Sequence, residues 1–389
     1  MKGRATAAVL LLVLLALTLA PAAQAQQSTA EAEKAALLLW KEAVEYTNVS
    51  VMASWSALSD HCSLSWEGVE CVNGRVNTLN LGDAQQGNNN HRGPLASELS
   101  VLDALIQFGI DENMFTGTLP KEWSAMTTLV DIRGTFNKIT GTVPAEWTAM
   151  RSLKRVELGY LRLTGTLPTQ WSALEQLDYL DLSGNALSSP LPPEFSVLTN
   201  LKHLDLSVNR LVGTLPPQWS THKQLEILDI GMNFLEGGIP LEWHNMGQLH
   251  ALLLSSNELD GTLPGWTAPL GFLSAVELHH NRISGSLPKS WSKWASLYYL
   301  DASYNRINGS LPREWSTLQN LTTLVLENNF LTGTLPHQWS SWWQLERIVL
   351  KFNSLSGHLP VTWNAWQQVE EISVAQNVLD LHLPMEWSS

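Results

Sequence analysis

Residues 201–219 read LKHLDLSVNRLVGTLPPQW, and the same skeleton, LxxLxLxxNxLxGxLPxxW, returns along most of the chain. Its proline falls at 120, 144, 168, 192, 216, 240, 264, 288, 312, 336, 360 and 384, a spacing of 24 residues without a slip, with Ala96 in the same phase one period earlier. Such a period overrides the two or three globular domains that 389 residues would otherwise suggest. The pairs Leu180 and Leu182, Leu204 and Leu206, and Leu228 and Ile230 alternate along the chain and so point to one face of a short strand. Asparagine ends that strand at 113, 137, 185, 209, 233, 257, 281, 305, 329, 353 and 377, where its amide can bond the backbone of the turn. Glycine three residues before the proline lets the chain turn, and the proline keeps the following segment from pairing as an ordinary interior strand.

One such unit cannot bury its own leucines, whereas stacked copies can, so the repeat predicts a solenoid. Thirteen strands, centred on residues 80, 109, 133 and then every 24 to 373, would form a parallel sheet. At about 4.8 Å per strand it would be roughly 55–60 Å long. Between the first two strands the spacing is 29 instead of 24, and the extra residues fall in the polar stretch DAQQGNNNH from Asp83 to His91, a loop on the rim. Gly134 at a core leucine position and Leu161 in place of an asparagine mark the third and fourth repeats as the least regular.

The ends bound the compartment. Lys2 and Arg4 precede an apolar run from Ala8 to Ala20 and a small-residue Ala23-Gln24-Ala25 site, the form of a secretory signal peptide, so residues 1–25 are assigned to it and the mature chain begins near Gln26. No later stretch approaches eighteen consecutive apolar residues, so no membrane-spanning segment is expected. Losing Lys2 and Arg4 moves the formal charge from −13 to −15. A chain this acidic repels nucleic acid and anionic membranes, and a charged partner should be basic. Cys62 and Cys71 stand nine positions apart in HCSLSWEGVEC. In an oxidising compartment they are a disulfide candidate that would contribute roughly 2–3 kcal/mol. Two free thiols or half of a metal site are the alternatives.

The N-terminal segment carries a helix candidate from Ala30 to Tyr46, then Trp55, Asp60, Cys62, Trp66, Gly68, Val69, Cys71 and the strand entry Val76, Leu79, Leu81. It resembles the amino-terminal cap of plant-type leucine-rich-repeat ectodomains (SW, DxC, WxGVxC, VxxLxL). The tryptophan three residues after the proline, as in GTLPKEWSAM at 117–126 and GTLPTQWSAL at 165–174, stands where plant repeats usually carry leucine. This version resembles the promastigote surface antigen family of trypanosomatids over nearly the whole chain. The resemblance implies a leucine-rich-repeat horseshoe or superhelix of about 13 coils with a concave parallel sheet and 24-residue plant-type repeats. The cap would cover residues 26–75 and the solenoid 76–389. It also implies a secreted or cell-surface glycoprotein without catalytic activity that contacts a host or vector protein or glycan. A plant-type receptor ectodomain or a hydrolase inhibitor is the alternative. The chain stops inside a repeat, at Pro384-Met385-Glu386-Trp387-Ser388-Ser389, so a C-terminal cap and a glycolipid anchor are not evident in it.

The tryptophan column lies at the spacing of an inward-facing residue opposite the sheet and is read as core. Trp294, Trp342 and Trp366 take leucine positions on the helical side, and Trp343 should be partly exposed. Binding is expected instead among residues that alternate with the core leucines and face outward. Between those leucines stand Glu157, Asp181, Asp205, Asp229, Leu253, Glu277 and Asp301, with Tyr179, His203, His279 and Tyr299 on the same face. Such a strip would recruit a basic protein segment, a divalent cation or sugar hydroxyls. The simpler reading is that these acids are solvated or bonded to Ser183, Ser207 and Ser303. N-glycosylation sequons stand at Asn48, Asn308 and Asn320, and glycans at Asn308 and Asn320, in the turn and on the helical side of the coil, would leave the concave face open. Carboxylates one strand apart could mimic a retaining glycosidase pair, but repetition alone produces them. With no HExxH, GxSxG or phosphate loop, no catalytic residue, cofactor or metal is assigned.

Overall fold

The computed structural model describes residues 22–46, 51–63, 65–82, 90–267, 270–380 and 382–388. Most of the signal peptide, the Asn48 sequon and the greater part of the Asp83–His91 loop lie outside them. The chain divides into two compact units, Met1–Asn185 and Ala186–Ser389.

The first unit opens with a helix at Ala22–Ala43, earlier at both ends than the expected 30–46. Alanine, glutamine and glutamate, all strong helix formers, occupy all of residues 22–33 but Ser28 and Thr29 and extend it backwards. Its Trp40 is fully buried and stacks on Phe115 at 5.4 Å, while Trp55 and Trp66 stack on each other at 5.4 Å. Buried Glu33 accepts bonds from Arg75 Nε (2.8 Å) and from the Val76 N–H (3.1 Å), tying the helix to the entry of the first coil. Cys62 and Cys71 are joined in a disulfide. The cap adds a strand the period does not contain: Val69–Val72 runs antiparallel to Arg75–Asn80.

From there the parallel ladder follows the repeat. In the first unit Arg75–Asn80, Gln107–Gly109, Asp131–Arg133, Arg155–Glu157 and Tyr179–Asp181 pair so that Leu79, Phe108, Ile132, Val156 and Leu180 lie in one row. In the second, eight strands from His203–Asp205 to Glu371–Ser373 do the same with Leu204, Leu228, Leu252, Val276, Leu300, Leu324, Ile348 and Ile372. Five strands and eight make the thirteen expected.

Each asparagine knits two coils. Asn233 Nδ2 donates to the carbonyls of Leu206, Ile230 and Gly231, and its Oδ1 accepts the Leu211 N–H at 2.9 Å. Leu161 has no such groups and is simply buried, yet the strands on either side keep their register. At Gly134 a Cβ would stand 3.3 Å from Leu158 and 3.4 Å from Ile110, so larger neighbours fill the missing leucine's place. The irregularity expected of these repeats is confined to side chains.

The tryptophans of the column from Trp123 to Trp363 are core, as their spacing predicts, whereas Trp387 is half-buried. Trp147, Trp171, Trp219, Trp315 and Trp339 have no exposed surface, and each sits in a single turn of 3-10 helix such as Pro217–Thr221. They have a second role not anticipated from the period. Each indole N–H donates to the proline carbonyl of the preceding coil, Trp147 to Pro120, Trp171 to Pro144, Trp219 to Pro192 and Trp243 to Pro216, at 2.9–3.0 Å. Displaced Trp266 still reaches Pro240 at 3.2 Å. Trp343 is 58% exposed, as expected. The segments before the prolines also pair, which the sequence reading did not foresee. Thr140–Thr142 lies beside Arg162–Gly165, and Ser284–Ser286 beside Arg306–Ser310, in short parallel ladders of their own.

Candidate functional site

In Arg155–Glu157, Tyr179–Asp181, His203–Asp205 and Ile227–Asp229 the middle residue is buried and its two neighbours are half-buried on the opposite face. Side-chain alternation therefore places the acids of the expected strip on the solvent-facing side of the sheet strands of their own unit. The two units use that surface differently.

In the first unit the register sets Asp131, Arg155 and Tyr179 in one column and Arg133, Glu157 and Asp181 in the next. Over Asp131–Arg133 and Arg155–Glu157 opposite charges thus alternate along and across the strands, whereas Glu157 faces a second acid, Asp181. Arg133 donates from Nη2 to Asp131 Oδ2 at 2.6 Å and lies 3.6 Å from Glu157. Arg155 bonds Glu157, and its guanidinium carbon stands 3.7 Å over the Tyr179 ring. The bond to Asp131 holds the Arg133 guanidinium above its ordinary value. Beside this network, Asp111 accepts from the Thr135 N–H and hydroxyl at 2.9 and 2.8 Å, and burial pushes its carboxyl up. A concavity of about 360 Å³ opens between Asn80, Gly82, Gln107, Asp131 and Arg133. Its floor is Gly109, where a Cβ would come within 2.8 Å of Asn80 Oδ1.

In the second unit Asp205 faces Asp229 and Glu277 faces Asp301 across neighbouring strands, with Leu253 between the pairs. The aspartates turn one oxygen into their own loops. Oδ1 accepts the N–H two residues on: Ser207 for Asp205 (2.9 Å), Gly231 for Asp229 (3.0 Å) and Ser303 for Asp301 (2.9 Å). Ser303 adds its hydroxyl at 2.6 Å, as Ser183 does for Asp181. The simpler reading is thus part of the arrangement: these carboxylates cap turns, and they remain on the surface. His279 lies 3.8 Å from Glu277 and 2.9 Å from His280, whose ring stacks on Tyr304 at 4.3 Å. Burial, then Asp301 and Glu277, push the Tyr299 phenol up. His203 flanks the first of these aspartates, and Ile227, Ala251 and Ala275 continue its column. Further along, the acid gives way to buried Val325 and Val349, and the pairs Arg347 with Glu371 (2.6 Å) and Lys351 with Glu327 (2.9 Å) follow.

Two features escaped sequence reasoning. One is the pair Arg133 and Arg155, legible only once the columns beside the strip are written out. The other runs along the loop edge of the sheet. Phe136, Tyr160, Met232, Tyr304 and Phe352 hold φ between 52° and 56°, a region side chains of this size rarely enter, and each is about half exposed. Phe136 stacks on Tyr160 at 4.7 Å, and a Cβ at Gly184 would strike the same tyrosine. Aromatics directly before asparagine, as in Phe136-Asn137 and Phe352-Asn353, were the available signal.

Among the described residues the grouping that could hold a metal is His61, Cys62 and Cys71, whose two sulfurs are already bonded to each other. No helix among them is long and apolar enough to cross a membrane.

Three family models match: a leucine rich repeat N-terminal domain at residues 30–72, and leucine rich repeats at 151–211 and at 296–318 and 320–342. Comparison with curated proteins finds no match. Among solved structures, a TDR receptor is 27% identical with a TM-score of 0.72 over 74% of this chain. The Arabidopsis receptor kinase HAESA, in complex with the peptide hormone IDA and the co-receptor SERK1, is 25% identical with a TM-score of 0.77 over 89%. A leucine-rich-repeat protein of Leptospira interrogans is 29% identical, with a TM-score of 0.64 over 75% of this chain and 71% of its own. The chain spans 50% of the TDR receptor chain and 62% of the HAESA chain. The protein is a leucine-rich-repeat solenoid whose N-terminal cap and repeats are of the kind found in plant extracellular receptor ectodomains.

Proposed function

We propose that this protein is an extracellular, non-catalytic binding solenoid that holds a basic peptide or protein segment against the sheet face of its second unit. The observation that carries this is the surface of Asp205, Glu277 and Asp301 around apolar Ile227 and Leu253, where Asp205 and Asp301 each accept a backbone N–H of their own loop and keep their charge on the sheet face. Like charges one strand apart disfavour one another until a cation lies between them, so a lysine or arginine side chain relieves the strip on arrival. The likeness to HAESA, crystallised with a peptide hormone, supports a protein ligand. On this reading residues 1–25 direct secretion, residues 26–75 cap the solenoid, and exposed Asn308 and Asn320 carry glycans clear of the sheet face. The test replaces Asp205, Asp229 and Asp301 with asparagine, which keeps each Oδ1 acceptor and removes the charge. Capture of lysine-rich peptides should weaken by about tenfold at low salt; unchanged capture would reject the strip.

A second reading, a trypanosomatid surface antigen contacting host or vector molecules, is favoured by the LPxxW column. It would gain from a glycolipid-anchor signal in the reading frame beyond Ser389, and a kinase or transmembrane segment there would remove it.

A further inference from the structure

On another side of the second unit, a concavity of about 700 Å³ runs across three successive coils, outside the sheet face described above. Its floor is the glycine-to-proline segment of each coil, which presents the exposed hydroxyls of Ser286, Ser310 and Thr334. Its wall is the residue after each proline, and in these three coils that residue is Lys289, Arg313 and His337. The repeat does not require basic side chains there. Elsewhere in the same column the second unit carries Pro193, Pro217, Leu241, Gly265, Val361 and Met385. Lys289 and Arg313 are 74% and 73% exposed, and Glu314 Oε1, 3.1 Å from Lys289 Nζ and 3.9 Å from Arg313 Nε, lies between them as their internal counter-charge. A basic column beside a hydroxyl ladder is conspicuous on a chain with 36 acidic and 23 basic residues.

We propose that this groove binds an acidic oligosaccharide, with Lys289, Arg313 and His337 each facing one anionic group and the serine and threonine hydroxyls bonding the sugar between them. The cations repeat at the coil spacing of about 5 Å, close to the length of one pyranose residue in an extended chain, so successive sugars meet successive coils in register. The lining offers neither an aromatic platform for nucleic-acid bases nor a deep apolar pocket for a peptide anchor. The site is independent of the proposed use of the sheet face.

The test is calorimetric titration of the full chain at low salt with a heparin-derived octasaccharide, an oligogalacturonide of equal length and a neutral cello-oligosaccharide. Because Asn308 lies two residues before Ser310, on a strand that itself lines the groove, native and enzymatically deglycosylated protein are both titrated. At least one acidic sugar should bind and the neutral one should not, and the sulfated and carboxylated arms identify which anion is preferred. Replacing Lys289, Arg313 and His337 together with glutamine should weaken binding by about tenfold or more, and Glu314→Gln should tighten it by about two- to fivefold. Asp205→Asn with Asp229→Asn should leave it unchanged, which separates this groove from the sheet face. Failure of both acidic sugars to bind, or wild-type affinity in the triple variant, would overturn the proposal. If the triple variant does not fold, Glu314→Gln decides alone, since affinity no tighter than wild type also overturns it.

Discussion

The first unit and the second each build a sheet surface from the same repeat and then hold its acids in different ways. In the first, Asp131 and Glu157 are clasped by Arg133 and Arg155, and the charge is consumed inside the protein. In the second, Asp205 and Asp301 each anchor one oxygen on a backbone N–H of their own turn, a bond that fixes the side chain and leaves its charge in place. A solenoid's core therefore dictates where a surface column lies and says nothing of what the column does. Whether an acid is structural or available depends on the columns beside it.

The largest expected effect tests what the two units share. Trp147→Ala and Trp219→Ala each remove a fully buried indole and its bond to a proline carbonyl, and each should cost about 3–5 kcal/mol in urea unfolding. A large loss in one unit and a small one in the other would break the equivalence of their cores. Trp219→Ala should leave capture at the sheet face intact in protein that folds.

The next effect belongs to the second unit. His222 stands where adjoining coils carry Leu198 and Met246; it is fully buried, with Nδ1 3.1 Å from the Leu198 carbonyl and Nε2 without a partner. Burial pushes its pKa down to about 4. The unfolded chain, with a value near 6.5, therefore takes up this proton first. Stability is undiminished above about pH 6.5 and falls as pH drops towards 4, by about 3 kcal/mol in all. His222→Leu should flatten that part of the profile when melting temperature is followed against pH. An identical slope in the variant would show that the acid response lies elsewhere.

Smaller effects probe the contrast itself. Arg155→Gln leaves Glu157 with Arg133 alone at 3.6 Å and should cost about 1 kcal/mol at low salt, less as salt is added. Asp205→Asn keeps its bond to Ser207 and should change stability by less than about 0.5 kcal/mol. Equal costs would mean that the charge is structural in both units.

These differences explain what could be read in advance. The period of the prolines and asparagines defines strands, coils and core, because each marks a backbone event that recurs only if the coils stack. It could not show the short ladders beside the glycines, since pairing of Thr140–Thr142 with Arg162–Gly165 depends on how closely the coils approach. The acids were legible as a column, but their partners were not. A serine two residues on is visible in sequence, whereas the reach of Arg155 to both Glu157 and Tyr179 is a matter of rotamer and register. The groove of Lys289, Arg313 and His337 lies off the strands, in the residue after each proline, a column as regular in the sequence as the tryptophan.

The indole bonds bear on how such a protein is inherited. Trp219 reaches Pro192 and Trp243 reaches Pro216, each 27 residues back, so within the second unit these coils present their successors with the same acceptor in the same place. Unequal crossing-over that deletes or duplicates one 24-residue copy would join a donor to an acceptor it has never met and still complete the bond. Lineages can therefore change coil number in whole steps without evolving a new junction, and each exchange moves a complete row of surface residues as one block.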